Sequence, residues 1–586
     1  MTLIFDIETD GLYNDASCIH CIGIHDLNAG ETYVFNDVGT QQPITKGIQL
    51  LEDADLIVGH NIIGYDIPVI SKLFPWFSRT NGVLDTLVLS RLYHTDLLDI
   101  DQKRKWKHMP LQLYGRHSLE AYGYRLGEYK GSFGKTADWK EWSQDMEDYM
   151  IQDVNVTRKL WKHFPQIPEW VQLEHRVAQI LTEQEIYGWY FDENAARELA
   201  QTLYTELDDL KGVLRKRYPY VAGREFTPKR VNRSLGYVEG ATCTKLVEFS
   251  PTSRDHIAWV MKNLHGWKPD KKTKAGKTAI DEIVLKEIGT EEALQFFRCL
   301  EITKQLGMLS EGKNAWLKLS RKDRVHHHCS VATVTHRCAH RNPNLAQVPS
   351  DLNFRRLFCA SPGHIMVGAD LSGIELRMLA HYLARYDDGR YGDILLHGDI
   401  HQENADKIGI SRRLVKTVTY AFLYGAGDQK IGLSYDQGLS PDKAKQKGKE
   451  IRQAYMDAIP GLEKLVEATK KAADRGFIRS IDGRHINVDS SHKALNMLLQ
   501  SSAGCIAKRW MVIANDNFPT IDNEYLAHTH QLAFIHDELQ FECLPLYAED
   551  LKTHLELCAE LAGEYYNLRI PIAAEGKIGS TWADVH

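Results

Sequence analysis

The stretch Ser411–Gly427, SRRLVKTVTYAFLYGAG, decides how the rest of the chain is read. Arg412, Lys416, Tyr420 and Tyr424 recur every four residues, so a helix here carries them on one stripe. From Arg412 to Tyr420 that stripe rises roughly 12 Å at 1.5 Å per residue, about the reach of a nucleoside triphosphate. Two cations would meet phosphates, and a ring would meet sugar and base. Leu414, Val415, Val418 and Phe422 form a separate aliphatic face that can pack on a core. Two cations at this spacing more often mark an amphipathic helix with a solvated basic side, and the stripe by itself favours that plainer reading.

The whole chain of 586 residues suffices for about four domain-sized units. Hydrophobic residues at 43% and charged residues at 25% describe an ordinary globular composition without the bias of a disordered chain. A net charge of -7 does not advertise a nucleic-acid binder, yet acidic sites and an acidic exterior can coexist with a local basic groove. No apolar run reaches the roughly 18 residues of a membrane span, and Met1–Phe5 leads directly into Asp6. The protein is expected to act inside the cell, with its ten scattered cysteines reduced and mostly buried. His326–His328, Cys329, His336, Cys338 and His340 match no regular ligand spacing, so zinc is not expected there.

Leu3–Leu12, LIFDIETDGL, reads as a buried strand ending in a turn, with Asp6 and Glu8 on one side. Acids at i and i+2 in an apolar strand are costly unless they are paired or hold metal. A third acid, Asp66, follows the strand end Val58-Gly-His-Asn61, and Tyr149 and Asp153 share a helical face further on. Phe164–Trp170, with two prolines, reads as a connection. Residues 190–320 carry helical periodicity and the basic clusters Lys211–Arg217 and Lys268–Lys277. Gly276-Lys277-Thr278 ends like a phosphate loop, but Lys271 stands where its leading glycine belongs, and a nucleotide-hydrolase reading is rejected.

Ile365–Asp370 is an apolar strand ending in an acid, and Ala533–Phe541 presents His536, Asp537 and Glu538 inside an apolar hairpin. With Arg-x-x-x-Lys-x-x-x-Tyr-x-x-x-Tyr-Gly of the stripe, Thr335-His-Arg337, Asn342–Pro349 and Gly398-Asp-Ile-His401, these segments resemble the motifs of family A DNA polymerases, in the family's order. The group includes bacterial DNA polymerase I and the replicative enzymes of short-tailed phages. The amino-terminal acids resemble a proofreading exonuclease.

The resemblance implies an α/β multidomain chain: a ribonuclease H-like 3′-5′ exonuclease over 1–165, then a right-hand polymerase over 166–586. Its thumb would span about 190–320, its palm about 321–395 and 480–586, and its fingers about 396–479. It also implies roles. Asp370 and Asp537 would hold two magnesium ions, with Glu538 in support and manganese as a substitute. Arg412, Lys416, Tyr420, His401 and Glu375 would bind nucleotide, Glu375 by contact with Tyr420 excluding a ribose 2′-hydroxyl. Lys416 would protonate pyrophosphate. Arg337, Tyr424, Asn496, Gln500 and His536 would touch DNA, and Asp482-Gly-Arg484 would lie near its minor groove. In the exonuclease, Asp6, Glu8, Asp66 and Asp153 would hold two metals about 4 Å apart while Tyr149 orients water.

Expected partners are primer–template DNA, deoxynucleoside triphosphates and replisome proteins such as a helicase-primase and a single-stranded DNA-binding protein, in the cytoplasm of a bacterial host. Some phage relatives recruit thioredoxin through a long thumb insertion. Only some thirty residues separate Arg217 from Ser250, so thioredoxin is not expected. His336 stands where the family places glycine, and the turn there is expected to differ. A single-subunit RNA polymerase is disfavoured by the exonuclease and Glu375. A protein that only grips DNA is disfavoured by Asp370, Asp537 and Glu538.

Overall fold

Leu3, Ile4 and Phe5 point to both faces of their strand and all three are fully buried, which places that strand in the middle of a sheet. In the computed structural model it is β1 (Thr2–Thr9), paired antiparallel with β2 (Ile19–Asp26), which continues to β3 (Glu31–Phe35). On its other side β1 runs parallel to β4 (Leu56–Gly59), and β4 to β5 (Val83–Asp85), giving the order β3-β2-β1-β4-β5. The structure describes residues 1–38, 41–128, 134, 138–164, 167–269, 272–273, 276–331, 333–436, 438–518 and 523–586. The domain boundary at 165/166 and Lys271 of the rejected phosphate loop lie outside the described residues.

Helices α1 (Ile44–Asp53), α2 (Asp66–Leu73), α3 (Thr86–Tyr93) and α4 (Gln144–Trp161) accompany this sheet. Gly23 of β2 explains how closely α4 approaches: a Cβ there would lie 2.1 Å from Met150 Sδ. A side chain at position 23 would have to displace the end of Met150, on the same helix that carries Asp153.

The chain folds as two compact units, each drawn from more than one stretch of sequence. One comprises 1–189, 327–348 and 360–586; the other comprises 190–326 and 349–359. In the first, α5 (Glu169–Tyr187) follows the amino-terminal sheet. A second sheet has the order β11-β12-β10-β13, from β10 (Ile365–Leu371), β11 (His530–Ile535), β12 (Glu538–Cys543) and β13 (Ala574–Gly579), every neighbour antiparallel. Helices α13 (Ala494–Asp516) and α14 (Ala548–Tyr565) pack together with it, and the Trp510 indole N–H donates to Leu555 O at 2.8 Å. Each fully buried side chain of this core, such as Trp510, Met511 or Leu555, contributes about 1.5–3 kcal/mol.

The stripe is a helix, α10 (Arg412–Leu423), begun by Ser411, whose hydroxyl accepts from Leu414 N. Val415, Val418 and Phe422 are buried as the aliphatic face, with Leu414 partly so. Helices α8 (Ile374–Asp387) and α9 (Ile400–Ile408) precede it; α11 (Asp428–Tyr435) and α12 (Pro441–Ala458) follow. The last two meet backbone to backbone, since a Cβ on Gly448 would fall 1.7 Å from Asp428 O.

The second unit holds α6 (Glu193–Arg217), the hairpin β6 (Tyr220–Phe226) and β7 (Cys243–Glu248), and α7 (Glu291–Leu306). Tyr218, Phe249 and Phe296 pack edge-on and tilted against one another in its core, and Arg298 grips Glu206 at 2.6 and 2.7 Å. Arg224, Lys229, Arg230, Arg233 and Lys245 are exposed on and beyond the hairpin.

None of the ten cysteines is joined in a disulfide, and seven of them are buried. No helix among the described residues is long and apolar enough to cross a membrane.

Candidate active sites

Because β1 alternates, Asp6 and Glu8 leave the sheet on the same side, opposite Gly23 and Cys21 of β2. Asp153 of α4 meets them, and one carboxylate oxygen from each of the three lies within 4.8 Å of the others. Three carboxylates that close are stable only with cations or protons between them. Asp66 stands outside this group. It is buried at the start of α2, its Oδ1 accepts from Ile7 N at 3.2 Å, and burial together with Asp85 and Asp153 raises its pKa to about 7. Tyr149 lies one turn before Asp153 and packs edge-on to Trp139, ring centroids 6.3 Å apart.

Sequence reading passed over Asp85. Its buried carboxylate accepts from Asn61 N, Ile63 N and Leu87 N at 2.8, 3.0 and 2.8 Å, shaping the turn after β4 that leads to Asp66. Its backbone N–H donates to His175 Nε2 of α5 at 2.9 Å. The preceding residue of α5, Glu174, is fully buried against Lys508 Nζ at 2.6 Å and the Arg484 guanidinium. Burial alone would raise its pKa, but Lys508 and Arg484 outweigh that and hold it at about 2. Arg484 is itself fully buried, bonded to Asp482 at 2.8 Å and stacked on Trp170. The expectation that this segment's arginine lines a DNA groove is therefore corrected: its charge is consumed inside. Lys508→Ala would strand part of this network, and a loss of about 3–5 kcal/mol in denaturant unfolding is the expected outcome.

The second group of acids forms where β10 and the β11–β12 hairpin meet. Asp370 pairs in register with Glu538, and Leu371 N donates to Asp537 O at 3.0 Å. Asp370, Glu538 and His586 bring ligand atoms within 4.8 Å of one another. Burial and repulsion from Asp537, Glu538 and Glu375 raise Asp370 to about 7. Burial and Glu375 raise Asp537 to about 6, against the pull of Arg337. Glu538 is held by Trp582 Nε1 and Gln540 Nε2, both at 2.6 Å, with His586 Nδ1 at 3.1 Å. Sequence reading gave no role to Gln540, although it lies within Ala533–Phe541, or to His586, which belongs to no motif.

Above these acids runs the stripe. Arg412 and Lys416 are exposed, Tyr420 is half-buried, and Tyr420 and Tyr424 stack with centroids 6.5 Å apart. Asp399, the N-cap of α9, holds Arg412 Nε at 2.7 Å, and the buried His401 ring lies 6.3 Å from that of Tyr420. Tyr420 feels the charges of Glu375 and Asp537, so the helix faces the acids.

One expected contact is replaced. Glu375 Oε1 accepts from Tyr424 OH and Arg337 Nη2, each at 3.0 Å, and not from Tyr420. Arg337 and the tyrosine one turn further along the stripe share that one oxygen. Asn496 Nδ2 donates to Leu423 O at the end of α10, and Gln500 is half-buried one turn beyond. His536 occupies the hairpin tip with φ of 61°. His336, expected to alter its turn, keeps the left-handed backbone a glycine would adopt, φ 59°, with Nε2 on His485 O at 2.9 Å.

The acid sets fit a hard divalent cation, which prefers oxygen ligands and relieves the repulsion that raises their pKa values. Acids at the end of a palm-like sheet beneath a basic and aromatic helix, on a chain that begins with a second acid-bearing sheet, define a nucleic-acid polymerase carrying a nuclease fold. Comparison with known proteins identifies the lineage. Residues 228–584 match the family described as DNA polymerase family A, and residues 3–163 match the RNase_H superfamily. The chain is 31% identical to a DNA-directed DNA polymerase of Enterobacteria phage T3 and 30% identical to that of Escherichia phage T7, each alignment covering 100% of both chains. Its fold is similar to the POL domain of Pol1 from M. smegmatis, solved with DNA primer-template and dNTP, at TM-score 0.72 and 17% identity over 99% of this chain and 96% of that one. The chain belongs to DNA polymerase family A and is a DNA-directed DNA polymerase with an RNase H-like exonuclease domain.

Proposed function

We propose that this enzyme extends a primer with deoxynucleoside triphosphates by two-metal phosphoryl transfer and removes misincorporated ends in the 3′-5′ direction. What carries this reading is the meeting of Asp370 with the Asp537–Glu538 hairpin, Leu371 N on Asp537 O at 3.0 Å, with Tyr424 of the cationic stripe bonded to Glu375 at 3.0 Å. The chain is divided as an exonuclease over 1–165 and a polymerase over 166–586. Its thumb is about 190–320, its palm about 321–395 and 480–586, and its fingers about 396–479.

Asp370 and Asp537 hold magnesium, for which manganese substitutes, and Glu538, fixed by Trp582 and Gln540, supports them. Bound magnesium supplies charge neutralisation at the primer 3′-hydroxyl and at the departing pyrophosphate. Arg412, Lys416 and His401 bind the triphosphate, Tyr420 stacks against the sugar, and Lys416 gives pyrophosphate its proton. Glu375 walls the sugar side of the pocket while Tyr424 and Arg337 hold it. Arg337, Tyr424, Asn496, Gln500 and His536 line the path of primer–template DNA. In the exonuclease Asp6, Glu8 and Asp153 hold the metals with Asp66 beside them, and Tyr149 orients water. The work is replication of phage DNA in the cytoplasm of a bacterial host, beside proteins such as a helicase-primase and a single-stranded DNA-binding protein. Primer extension with deoxynucleotides and magnesium on a primed template tests the reading, and template-independent or absent synthesis would overturn it.

Tyr420 puts a hydroxyl where a sugar lacking its 3′-hydroxyl leaves space. Dideoxynucleotides are therefore expected to terminate synthesis efficiently. Tyr420→Phe removes a hydrogen bond worth about 0.5–1.5 kcal/mol, so discrimination against dideoxynucleotides rises by up to about tenfold. Equal use by both proteins counts against this role.

The alignments with the two phage enzymes run to 715 and 720 positions against 586 residues here, so each relative carries residues without a counterpart. Where a long thumb insertion would lie, this chain has the β6–β7 hairpin with its exposed cations, suited to direct contact with DNA phosphates. Product length under single-encounter conditions with a trap is expected to be the same with and without reduced thioredoxin. A large thioredoxin-dependent gain would show that the hairpin recruits it.

A further inference from the structure

The histidine and cysteine residues that lacked a regular ligand spacing in sequence converge in space. Strand β8 (His328–Ser330) pairs antiparallel with β9 (Ala339–Arg341), and Cys329 stands directly opposite His340 in that register. His327, just before β8, turns its ring toward the same point. Cys329 Sγ lies 3.1 Å from His340 Nδ1 and 3.6 Å from His327 Nδ1, and the three ligand atoms all fall within 4.8 Å of one another.

From these positions we propose that His327 Nδ1, Cys329 Sγ and His340 Nδ1 form a zinc site, with solvent at the fourth position, that clips the two strands of the β8–β9 hairpin together beside the palm sheet.

Ligands set around tetrahedral zinc, at about 2.3 Å for sulfur and 2.0–2.1 Å for nitrogen, stand about 3.3–3.6 Å apart, close to the separations found. His327 is oriented as zinc-bound histidines are. Its Nε2 lies 3.0 Å from Leu532 O of β11, so its remote N–H donates to a backbone carbonyl and the Nδ1 lone pair faces the sulfur. His327 is fully buried and Cys329 nearly so, which holds these two donors in place, while the partly exposed His340 leaves a side from which solvent can reach the fourth position. Burial and the neighbouring His327 and His536 hold His340 at about 3, so its imidazole stays neutral as a ligand must. Burial also raises the Cys329 thiol, which therefore releases its proton to solvent as the metal–sulfur bond forms. One thiolate and two imidazoles suit zinc, whereas the carboxylate-dominated clusters of the two active sites suit magnesium.

The place gives the clip a structural use. The loop between β8 and β9 carries His336 and Arg337, and Arg337 reaches Glu375. The His340 ring stands edge-on to that of His536, centroids 5.7 Å apart at 90°, next to Asp537. Metal here braces the strands that carry the Arg337 loop, and the His327–Leu532 bond holds them against the sheet whose hairpin bears Asp537, without touching either reacting group.

The test uses the full-length protein, freed of metal by chelation and loaded with zinc or with cobalt(II). Stoichiometric zinc should survive gel filtration, and cobalt should produce a thiolate-to-metal charge-transfer absorption, which carboxylate sites do not give. Both should vanish in Cys329→Ser and persist in Asp537→Ala and in Asp6→Ala with Glu8→Ala. Circular dichroism checks that Cys329→Ser is folded, and zinc should raise the thermal midpoint of the wild-type protein but not of that variant. A wild-type protein without the cobalt–thiolate band overturns the proposal whatever the variants do. A band that survives in Cys329→Ser also overturns it, by assigning the metal to another cysteine.

Discussion

Asp537→Ala is expected to stop primer extension, with kcat falling about 10³-fold or more, while degradation of single-stranded DNA continues near the wild-type rate. The magnitude follows from the several kcal/mol that metal-held charge contributes to phosphoryl transfer, at about 1.36 kcal/mol per tenfold in rate. The selectivity follows from geometry, since the exonuclease acids sit on β1 and α4 and share no ligand with β10 and β12. The electrostatics offer a second measurement. Asp370 and Asp537, at about 7 and about 6, still hold protons where ordinary carboxyls have lost them. Between the ordinary carboxylate range and those values the folded chain binds more protons than the unfolded one. Without metal, the stability contribution of the pair therefore falls as pH rises from the ordinary carboxylate range to about 7, and divalent metal restores it. Synthesis should rise over the same interval as both ligands become anionic. In Asp537→Ala, loss of one neighbouring charge should shift the metal-free stability profile of Asp370 toward lower pH. A variant that still extends primers, or an exonuclease that fails with it, would refute the assignment of Asp537 to a separate polymerase centre.

What could be read in the sequence was what local spacing controls. Asp6 and Glu8 lie two apart on a strand, and Arg412 through Tyr424 lie four apart on a helix; in both places backbone periodicity alone sets the side on which the groups appear. The strand ends at Asp370 and Asp537 were legible because an acid at the edge of an apolar run is costly without a use. What escaped depended on pairings distant in sequence. Nothing local to Glu375 says that Tyr424 rather than Tyr420 will reach it once Arg337 is in place. Arg484 looked like a surface cation until Glu174 met it inside. The carbonyl that orients His327 comes from β11, and the Cys329–His340 register from a hairpin whose connecting loop hides the ligand spacing. His336 shows the converse case, a residue that departs from the family pattern while its backbone does not.

Asp6→Ala combined with Glu8→Ala should abolish degradation of single-stranded DNA and leave the rate of correct extension within about twofold, because distant, independent sites act additively. Both acids are removed together because Asp6, Glu8 and Asp153 bring oxygens within 4.8 Å of one another, and a single loss leaves two carboxylates still able to share a cation. Asp66 would not compensate, since Ile7 N occupies its Oδ1 and burial keeps it protonated up to about pH 7. The substitution also removes mutual repulsion from the middle of the sheet, so the variant should be no less stable than the parent in the absence of metal. That separates loss of chemistry from loss of fold. In synthesis assays the consequence is a rise in retained mismatches, read by sequencing products made with an unbalanced nucleotide pool. Residual wild-type-like degradation would place the nuclease chemistry outside β1 and α4. Loss of extension along with degradation would mean that the two sets of carboxylates do not act as separate sites.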